Sequence, residues 1–485
     1  MLEANYTLEN VKHVVLYEVA KRAFEGRMEE IEATLPYEMA PGPKANFRCC
    51  VYKEREILKE RIRLAQGKDP APYRPRPGIV QILRAACEGC PITRFSVTDN
   101  CQRCMSKKCQ QACRFGAISM QRERAYIDAD KCKECGRCAE ACPYHAIADL
   151  MRPCKRSCPV DAISTGEDGI VNIDYEKCIQ CGNCIKNCPF GAISEKSFMV
   201  DVIKLIRAGI PVHAMVAPAV EGQFGKEITM GSLADACKEL GFASMIEVAL
   251  GGDMVADSEA KEWAEAYEKG EKKTTSCCPA FVNMIHKHFP ELIGNISTTV
   301  SPMQAVSRLL KQQDPAAVTV FVGPCVAKKN EVLFSHSIEG GNADYALTFD
   351  ELQAMFEAKG VVLKAKANDF QQGSVYGKRF GNAGGVTKAV LRAFEEQGVK
   401  ADVTVKGCNG ALECKNALLL MKLGKLPADF IEGMVCVGGC VNGPGSVKWE
   451  AEAKRDRDTL IGGADSRGIQ ENIAEQEADR VPMHR

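Results

Sequence analysis

The spacing of the cysteines between Cys87 and Ile193 constrains this chain more than anything else in it. A unit of the form Cys-x3-Cys-Pro/Arg-x-x-Ala-Ile occurs four times, as Cys109/Cys113 to Ile118, Cys138/Cys142 to Ile147, Cys154/Cys158 to Ile163 and Cys184/Cys188 to Ile193. The first two copies lie 29 residues apart and the last two 30. Cys132-x2-Cys135-x2-Cys138-x3-Cys142-Pro crowds four thiols into eleven residues. That is too tight for a zinc ribbon, whose paired Cys-x2-Cys steps need a longer loop between them. It suits 4Fe–4S cubes, where paired half-repeats exchange their fourth cysteines.

By that crossing rule one cubane takes Cys101, Cys104, Cys109 and Cys142, and a second takes Cys132, Cys135, Cys138 and Cys113. Half one, Cys101-x2-Cys104-x4-Cys109-x3-Cys113, carries a two-residue insertion in its middle. Half four is regular, so a third cubane takes Cys178, Cys181, Cys184 and Cys158. Half three keeps only Cys154 and Cys158. If the chain folds back, Cys87-Glu-Gly-Cys90 joins Cys154 and Cys188 in a fourth cubane; otherwise these four are vestigial and three clusters remain.

The 26 cysteines of this 485-residue chain do not read as a disulfide scaffold, which belongs to small secreted domains. Apolar residues make up 46% and charged residues 26%, with 63 basic and 63 acidic side chains. The balance argues against a nucleic-acid or anionic-membrane partner, although local patches can survive the average. The sequence offers no apolar run of membrane-spanning length, and the start Met1-Leu-Glu-Ala-Asn-Tyr has no signal-peptide pattern. A cytoplasmic location is the expectation.

The chain divides into a helical N-terminal arm (1–80), a tandem ferredoxin-like 4Fe–4S domain (81–198), an α/β domain (199–450) and a peripheral helical tail (451–485). In the arm, helical periodicity runs over Val11–Leu35 and again over Val51–Gln66, with Pro41-Gly-Pro43 between. Cys49-Cys50 reads as two ordinary thiols or as a redox or ligand pair. From Phe198 onward, stretches rich in β-formers (210–216, 318–322, 401–405) alternate with helical segments such as Met303–Gln312 and Val386–Gln397. The fold class is therefore multidomain, α+β in the cluster region and α/β beyond it.

Three further segments carry the remaining signal: Thr275-Ser-Cys-Cys-Pro-Ala-Phe281, Gly323-Pro-Cys-Val-Ala-Lys-Lys-Asn-Glu331 and Cys436-Val-Gly-Gly-Cys440-Val-Asn-Gly-Pro-Gly. In order and content they resemble the three signature motifs of FeFe-hydrogenases. The likeness spans roughly residues 85–450. It implies a two-lobed α/β catalytic domain holding an H-cluster, a 4Fe–4S cube bridged to a two-iron unit with CO, CN and dithiolate ligands. The resemblance gives Cys278, Cys325, Cys436 and Cys440 as the cubane ligands, with Cys440 bridging to the two irons. It makes Cys277 a proton carrier, and Lys328 a hydrogen-bond donor to an iron-bound cyanide. Pro218, Phe380 and Met434 match residues packed around the irons, and Glu259, Glu262 and Ser297 match the family's proton relay. Glu259 and Glu262 share one helix face. Cys237, Cys408 and Cys414 are left as isolated buried thiols.

The implied activity is an oxidoreductase reaction on hydrogen, 2 H+ + 2 e− = H2, with a ferredoxin or similar one-electron carrier as partner and maturation proteins supplying the two-iron unit. No Gly-x-Gly-x-x-Gly opens a βαβ unit, so nicotinamide is not implied. Two other functions share the motifs: a hydrogen-sensing relative, and an iron–sulfur assembly protein without the two-iron unit. Phe281 stands where the commonest hydrogenases have Trp and Gly323 where they have Met. Pro444-Gly-Ser-Val replaces their Gly-Gly-Gln-Pro. These departures point to a variant branch.

Overall fold

The computed structural model describes residues 7–91, 93–335, 342–367, 370–448 and 450–485. Residues 1–6, on which the reading of the leader rests, and Trp449, at the boundary before the tail, lie outside them.

Each half-repeat folds alike. A helical turn carries its third cysteine (Lys108–Ala112, Arg137–Ala141, Pro153–Arg156, Asn183–Lys186), and a short strand follows its Ala-Ile step. Within the stretch 93–150, Phe95–Val97 pairs antiparallel with Ile147–Asp149, and Ile118–Met120 with Ala125–Ile127. Phe95, Val97, Ile118 and Ile147 form a small core of their own. In the second module Val80–Ile82 pairs with Ile193–Glu195, and Ile163–Thr165 with Val171–Ile173. The second module is therefore discontinuous. Its first strand and the Cys87/Cys90 step precede the whole of the first module, and its remainder resumes at Cys154. Half three is short in sequence because residues 91–153 are inserted between its second and third cysteines.

Two parallel sheets build the half of the chain beyond the cluster modules. One runs in the order Ser244–Glu247, Val212–Val216, Val318–Val322, Tyr345–Leu347. The other runs Lys273–Thr274, Phe430–Met434, Val405–Asn409. Strands covered by helices on both faces are nearly continuously apolar, and Val318–Val322 (Val-Thr-Val-Phe-Val) is so except for Thr319, whose hydroxyl donates to Asp344 at 3.0 Å. The expected strand at 401–405 begins only at Val405, because Asp402 and Thr404 lie outside the ladder that Phe430–Met434 offers. Met303–Gln312 and Val386–Gln397 are helical within Pro302–Gln313 and Gly385–Gln397.

The helical spacing over Val11–Leu35 breaks at Gly26, which takes the left-handed C-cap (φ 76°) between Leu8–Glu25 and Ile31–Met39. The first helix packs on Phe349–Lys359, and Val11, Val15 and Val19 share one core with the first parallel sheet. Its Lys12 bonds Glu195 at 2.9 Å, tying the second cluster module to the arm.

The tail is not peripheral. Ile469 and Ile473 enter the core around Val248–Glu268, and the Asn472 amide donates to Asp253 Oδ2 at 2.8 Å. Burial raises Asp253 to about 7, offset by hydrogen bonds from Ser374 and Asn472. The sequence there looks charged because Glu471 and Glu475 alternate with the two isoleucines on a short amphipathic helix, Ile469–Glu475.

Candidate metal centre

The carboxyl ends of both sheets open toward one place, the position at which parallel α/β sheets bind ligands. Pro218 follows Val212–Val216, and Cys325 follows Val318–Val322. Cys277 and Cys278 follow Lys273–Thr274, and Cys436 and Cys440 follow Phe430–Met434. Between them lies an apolar cavity of about 80 Å³, lined by Pro218, Cys277, Cys278, Cys325, Lys328, Phe380, Met434 and Cys440 among others.

Four thiols converge on one wall. Cys278, Cys325 and Cys440 all lie within electrostatic reach of Cys436. Burial pushes Cys440 up to about 11 and raises Cys325 and Cys436 further. Protein alone would keep these thiols neutral, so a metal is what would deprotonate them. Two sit favourably for an anion: Cys278 is the N-cap of Pro279–His288, and Cys325 directly precedes Val326–Ser335. An all-thiolate set is soft and selects iron–sulfur, zinc or copper(I) over hard cations. A multi-iron cube, each iron on its own thiolate, fits such a set of four separate thiols.

Lys328 lines the cavity, and its ammonium bonds Glu331 at 2.7 Å. Cys277 is buried, and burial first, then Glu259 and Cys278, raise its thiol well above the usual range. On the helix Val248–Glu268, Glu259 is fully buried. It accepts a hydrogen bond from the Ser276 amide at 3.3 Å and lies beside Ser297. Burial and the neighbouring Glu262 push it up to about 8, and its second oxygen has no partner among the described residues. Ser297 also donates to Glu262 Oε2 at 2.6 Å, and Glu262 reaches Lys273 at 3.5 Å near the surface. Cys277, Glu259, Ser297 and Glu262 thus form one file from cavity to solvent edge.

Sequence reasoning missed three groups here. Phe321 lines the cavity, and its ring occupies the space beside Gly323: a Cβ there would stand 2.5 Å from it. The missing bulk at 323 is supplied from 321. The signal was available, because residues i and i+2 of a strand share a face. Glu432, buried in Phe430–Met434, accepts from the Gly384 and Thr387 amides at 2.9 and 3.0 Å and lies within electrostatic reach of Cys277. Arg457, from the tail, is 6% exposed, is held by Asn382, and lowers the Cys440 thiol after Lys328 does. Only long-range packing brings it there.

The upstream cysteines also gather into four sets. Cys109 lies near Cys142, Cys101 and Cys104, and Cys138 near Cys132 and Cys113. Cys184 lies near Cys181, Cys178 and Cys158. Cys154 lies near Cys188, Cys87 and Cys90, and burial raises it to about 11. Cys181 and Cys436 are electrostatic neighbours, and a Cβ on Gly182 would stand 2.6 Å from Pro444. The third set therefore abuts the cavity wall. Cys237 is a lone buried thiol raised to about 12 by burial. Cys408 and Cys414 are not isolated: they are buried side by side, close enough for each to shift the other's thiol. Cys49 and Cys50 are exposed at the start of Val51–Ala65.

Residues 210–444 match the family described as iron only hydrogenase large subunit, C-terminal domain, and 147–199 and 125–148 match an LdpA Fe–S cluster-binding domain and a 4Fe–4S binding domain. The chain is 33% identical over 373 residues to the periplasmic Fe hydrogenase large subunit of Nitratidesulfovibrio vulgaris, covering 66% of this chain and 85% of that one. It is 32% identical to iron hydrogenase 1 of Clostridium pasteurianum, covering 66% of this chain and 64% of that one. A cytosolic Fe–S cluster assembly factor of Xenopus tropicalis is 27% identical over 39% of this chain and 50% of its own. Among solved structures, an apo FeFe-hydrogenase variant from Chlamydomonas reinhardtii superposes with a TM-score of 0.46 at 20% identity, over 57% of this chain and 93% of that one. No helix among the described residues is long and apolar enough to cross a membrane. The family match over residues 210–444 and the 33% identity to the Nitratidesulfovibrio vulgaris subunit show that the chain belongs to the iron-only, or FeFe-, hydrogenase large-subunit family.

Proposed function

We propose that this chain is a hydrogenase that interconverts dihydrogen with two protons and two electrons. The observation that carries the reading is the cavity itself: one apolar space faces the thiols of Cys278, Cys325 and Cys440, the Cys277 thiol and the Lys328 ammonium, with Pro218, Phe380 and Met434 completing its walls. Cys278, Cys325, Cys436 and Cys440 would hold a cubane, with Cys440 bridging it to a two-iron unit. That unit, when bound, supplies the metal at which protons and electrons meet.

The chain's own residues do the rest. Pro218, Phe380 and Met434 exclude water, so that charges inside act at full strength. Lys328 presents an ammonium to whatever anionic ligand fills the space beside it. Cys277, protonated at neutral pH by its burial, holds a proton at its sulfur. Glu259, with a value near 8, gives and takes that proton close to physiological pH, as relay groups must. Ser297 and Glu262 carry it onward through the 2.6 Å hydrogen bond to the surface. Electrons would travel through the four upstream thiol sets, entering from a ferredoxin-type carrier, and maturation proteins would install the two-iron unit.

The match to assembly factors favours a second reading, a scaffold with the cubane and no two-iron unit. Infrared spectra of the chain co-expressed with maturation proteins decide between them. Sharp bands from iron-bound CO and CN support the hydrogenase reading, and an iron-loaded protein without them overturns it. Dihydrogen turnover by the same sample separates an enzyme from a sensor.

A further inference from the structure

The two-residue insertion in half one has no part in the chemistry described so far. It lengthens the loop between Cys104 and Cys109 to Met105-Ser-Lys-Lys108, where halves two and four have Gly-Arg and Gly-Asn. Met105 is 97% exposed, more than any other large apolar side chain among the described residues. Lys107 adopts a left-handed backbone (φ 42°) and caps the helix Lys108–Ala112. The residues in its place in halves two and four are Gly136 (φ 80°) and Gly182 (φ 77°). A glycine takes that conformation freely and a lysine does not, so half one keeps a strained lysine where its sisters use the residue the backbone prefers.

The charge around the loop is one-sided. Between Asn100 and Arg124 there are six cations (Arg103, Lys107, Lys108, Arg114, Arg122 and Arg124) and one acid, Glu123, and all six cations are exposed. Between Ala125 and Asp149 there are three cations and five acids. Among the described residues no carboxylate pairs with Lys107, Lys108 or Arg114, and Arg124 alone of the six has such a partner, Asp99 at 2.8 Å. The loop lies at the edge of the first thiol set: Ser106 Oγ sits 3.4 Å from the Cys104 sulfur.

We infer that this loop is the docking surface for a small acidic one-electron carrier protein of the ferredoxin type. Met105 supplies the apolar anchor, and Lys107, Lys108, Arg114 and Arg122 steer and orient the acidic partner by complementary potential. A nucleic acid would use the same cations but has no use for an exposed methionine set over a redox site. The inference rests on the reading of Cys101, Cys104, Cys109 and Cys142 as an electron-entry cubane.

The test is binding of a purified acidic two-cluster ferredoxin to the full chain reconstituted with cubanes and lacking the two-iron unit, with Kd measured against ionic strength. The wild-type Kd rises with salt. Lys107→Glu combined with Lys108→Glu raises it at least tenfold at low salt and flattens the salt dependence. Met105→Ala raises it severalfold, while Lys131→Glu with Lys133→Glu, in the second half-repeat, changes it less than twofold. Lys107→Gly raises the melting temperature and still weakens binding, a pairing that a merely structural lysine would not give. Should the double reversal disturb the cluster's EPR signal, Arg114→Glu with Arg122→Glu must show the same loss. An unchanged Kd in both reversals, equal loss in the 131/133 control, or equal binding of single-stranded DNA overturns the inference. None of these results bears on the infrared bands, so the hydrogenase reading stands or falls separately.

Discussion

Cys132–Cys142 and Cys178–Cys188 have identical spacing, Cys-x2-Cys-x2-Cys-x3-Cys-Pro, and near-identical backbones, yet their surroundings differ. In the first module Cys135 is exposed, and the core beneath it is a handful of side chains. In the second, burial pushes Cys181 up to about 12, and Val160, Ile179 and Val326 join the module to the catalytic half. The motif decides that a cluster forms. What packs over it decides whether it meets solvent and partners or serves as an internal relay. The first module faces outward, and the second is packed into the interior of the molecule.

The sharpest way to break that contrast is to remove one ligand from each end. Cys440→Ser should abolish dihydrogen evolution driven by dithionite, because a hydroxyl is too hard a donor to replace a bridging thiolate. Cys135→Ser should lose one cubane and leave the EPR signal of the catalytic cubane intact. Loss of that signal in the Cys135 variant would make the modules one cooperative unit. Next in size, Cys277→Ala should cut turnover about 10²–10⁴-fold, the usual worth of a proton-transfer group, with the catalytic cubane still assembled. Failure of the cubane to assemble would make Cys277 a ligand.

Excising residues 93–150 behind a short linker tests the insertion. Val80–Ile82 keeps its partner Ile193–Glu195, so the product should fold and hold about 12 iron atoms in place of about 20, at four per cubane. A count near four would show that the second module cannot stand without the first. The smallest effect concerns pH. Glu259 is raised from 4.5 to about 8 in the fold, so between those values the folded chain keeps a proton that the unfolded chain releases. Stability therefore falls as pH rises through that window and levels above it. Glu259→Gln lacks the group, so its melting temperature should gain on the wild type from about pH 5 to 8 and no further. A constant difference would mean that Glu259 is ionised throughout.

Much of this architecture was legible because cluster ligation ties spacing to geometry. Cys87, Cys90, Cys154 and Cys188 could be grouped by counting what the other sets left over, and the structure brings those four thiols together. The three cysteine motifs fall at strand ends, and in the first of them Pro279 marks the start of the helix that follows. What the chain did not reveal depends on contacts between distant segments. Asn472 and Arg457 look like surface polar residues until Asp253 and Cys440 are placed beside them. The Val11–Leu35 pattern hid a break, because Gly26 interrupts a periodicity that resumes in phase on the far side. Phe321 was concealed by reading Gly323 as a loss when it is half of an exchange.

The split second module also sets an order of events at the ribosome. Val80–Ile82 and Cys87/Cys90 emerge first, but their partners, Cys154, Cys188 and the strand Ile193–Glu195, lie more than 60 residues downstream. The contiguous module between them needs only its own chain and can close while synthesis continues. The earliest cysteines therefore wait longest, open to wrong metals and wrong thiols, and the relay next to the catalytic centre cannot be completed before its exposed neighbour. A chain arrested short of Ile193 would carry a finished entrance and an unfinished interior.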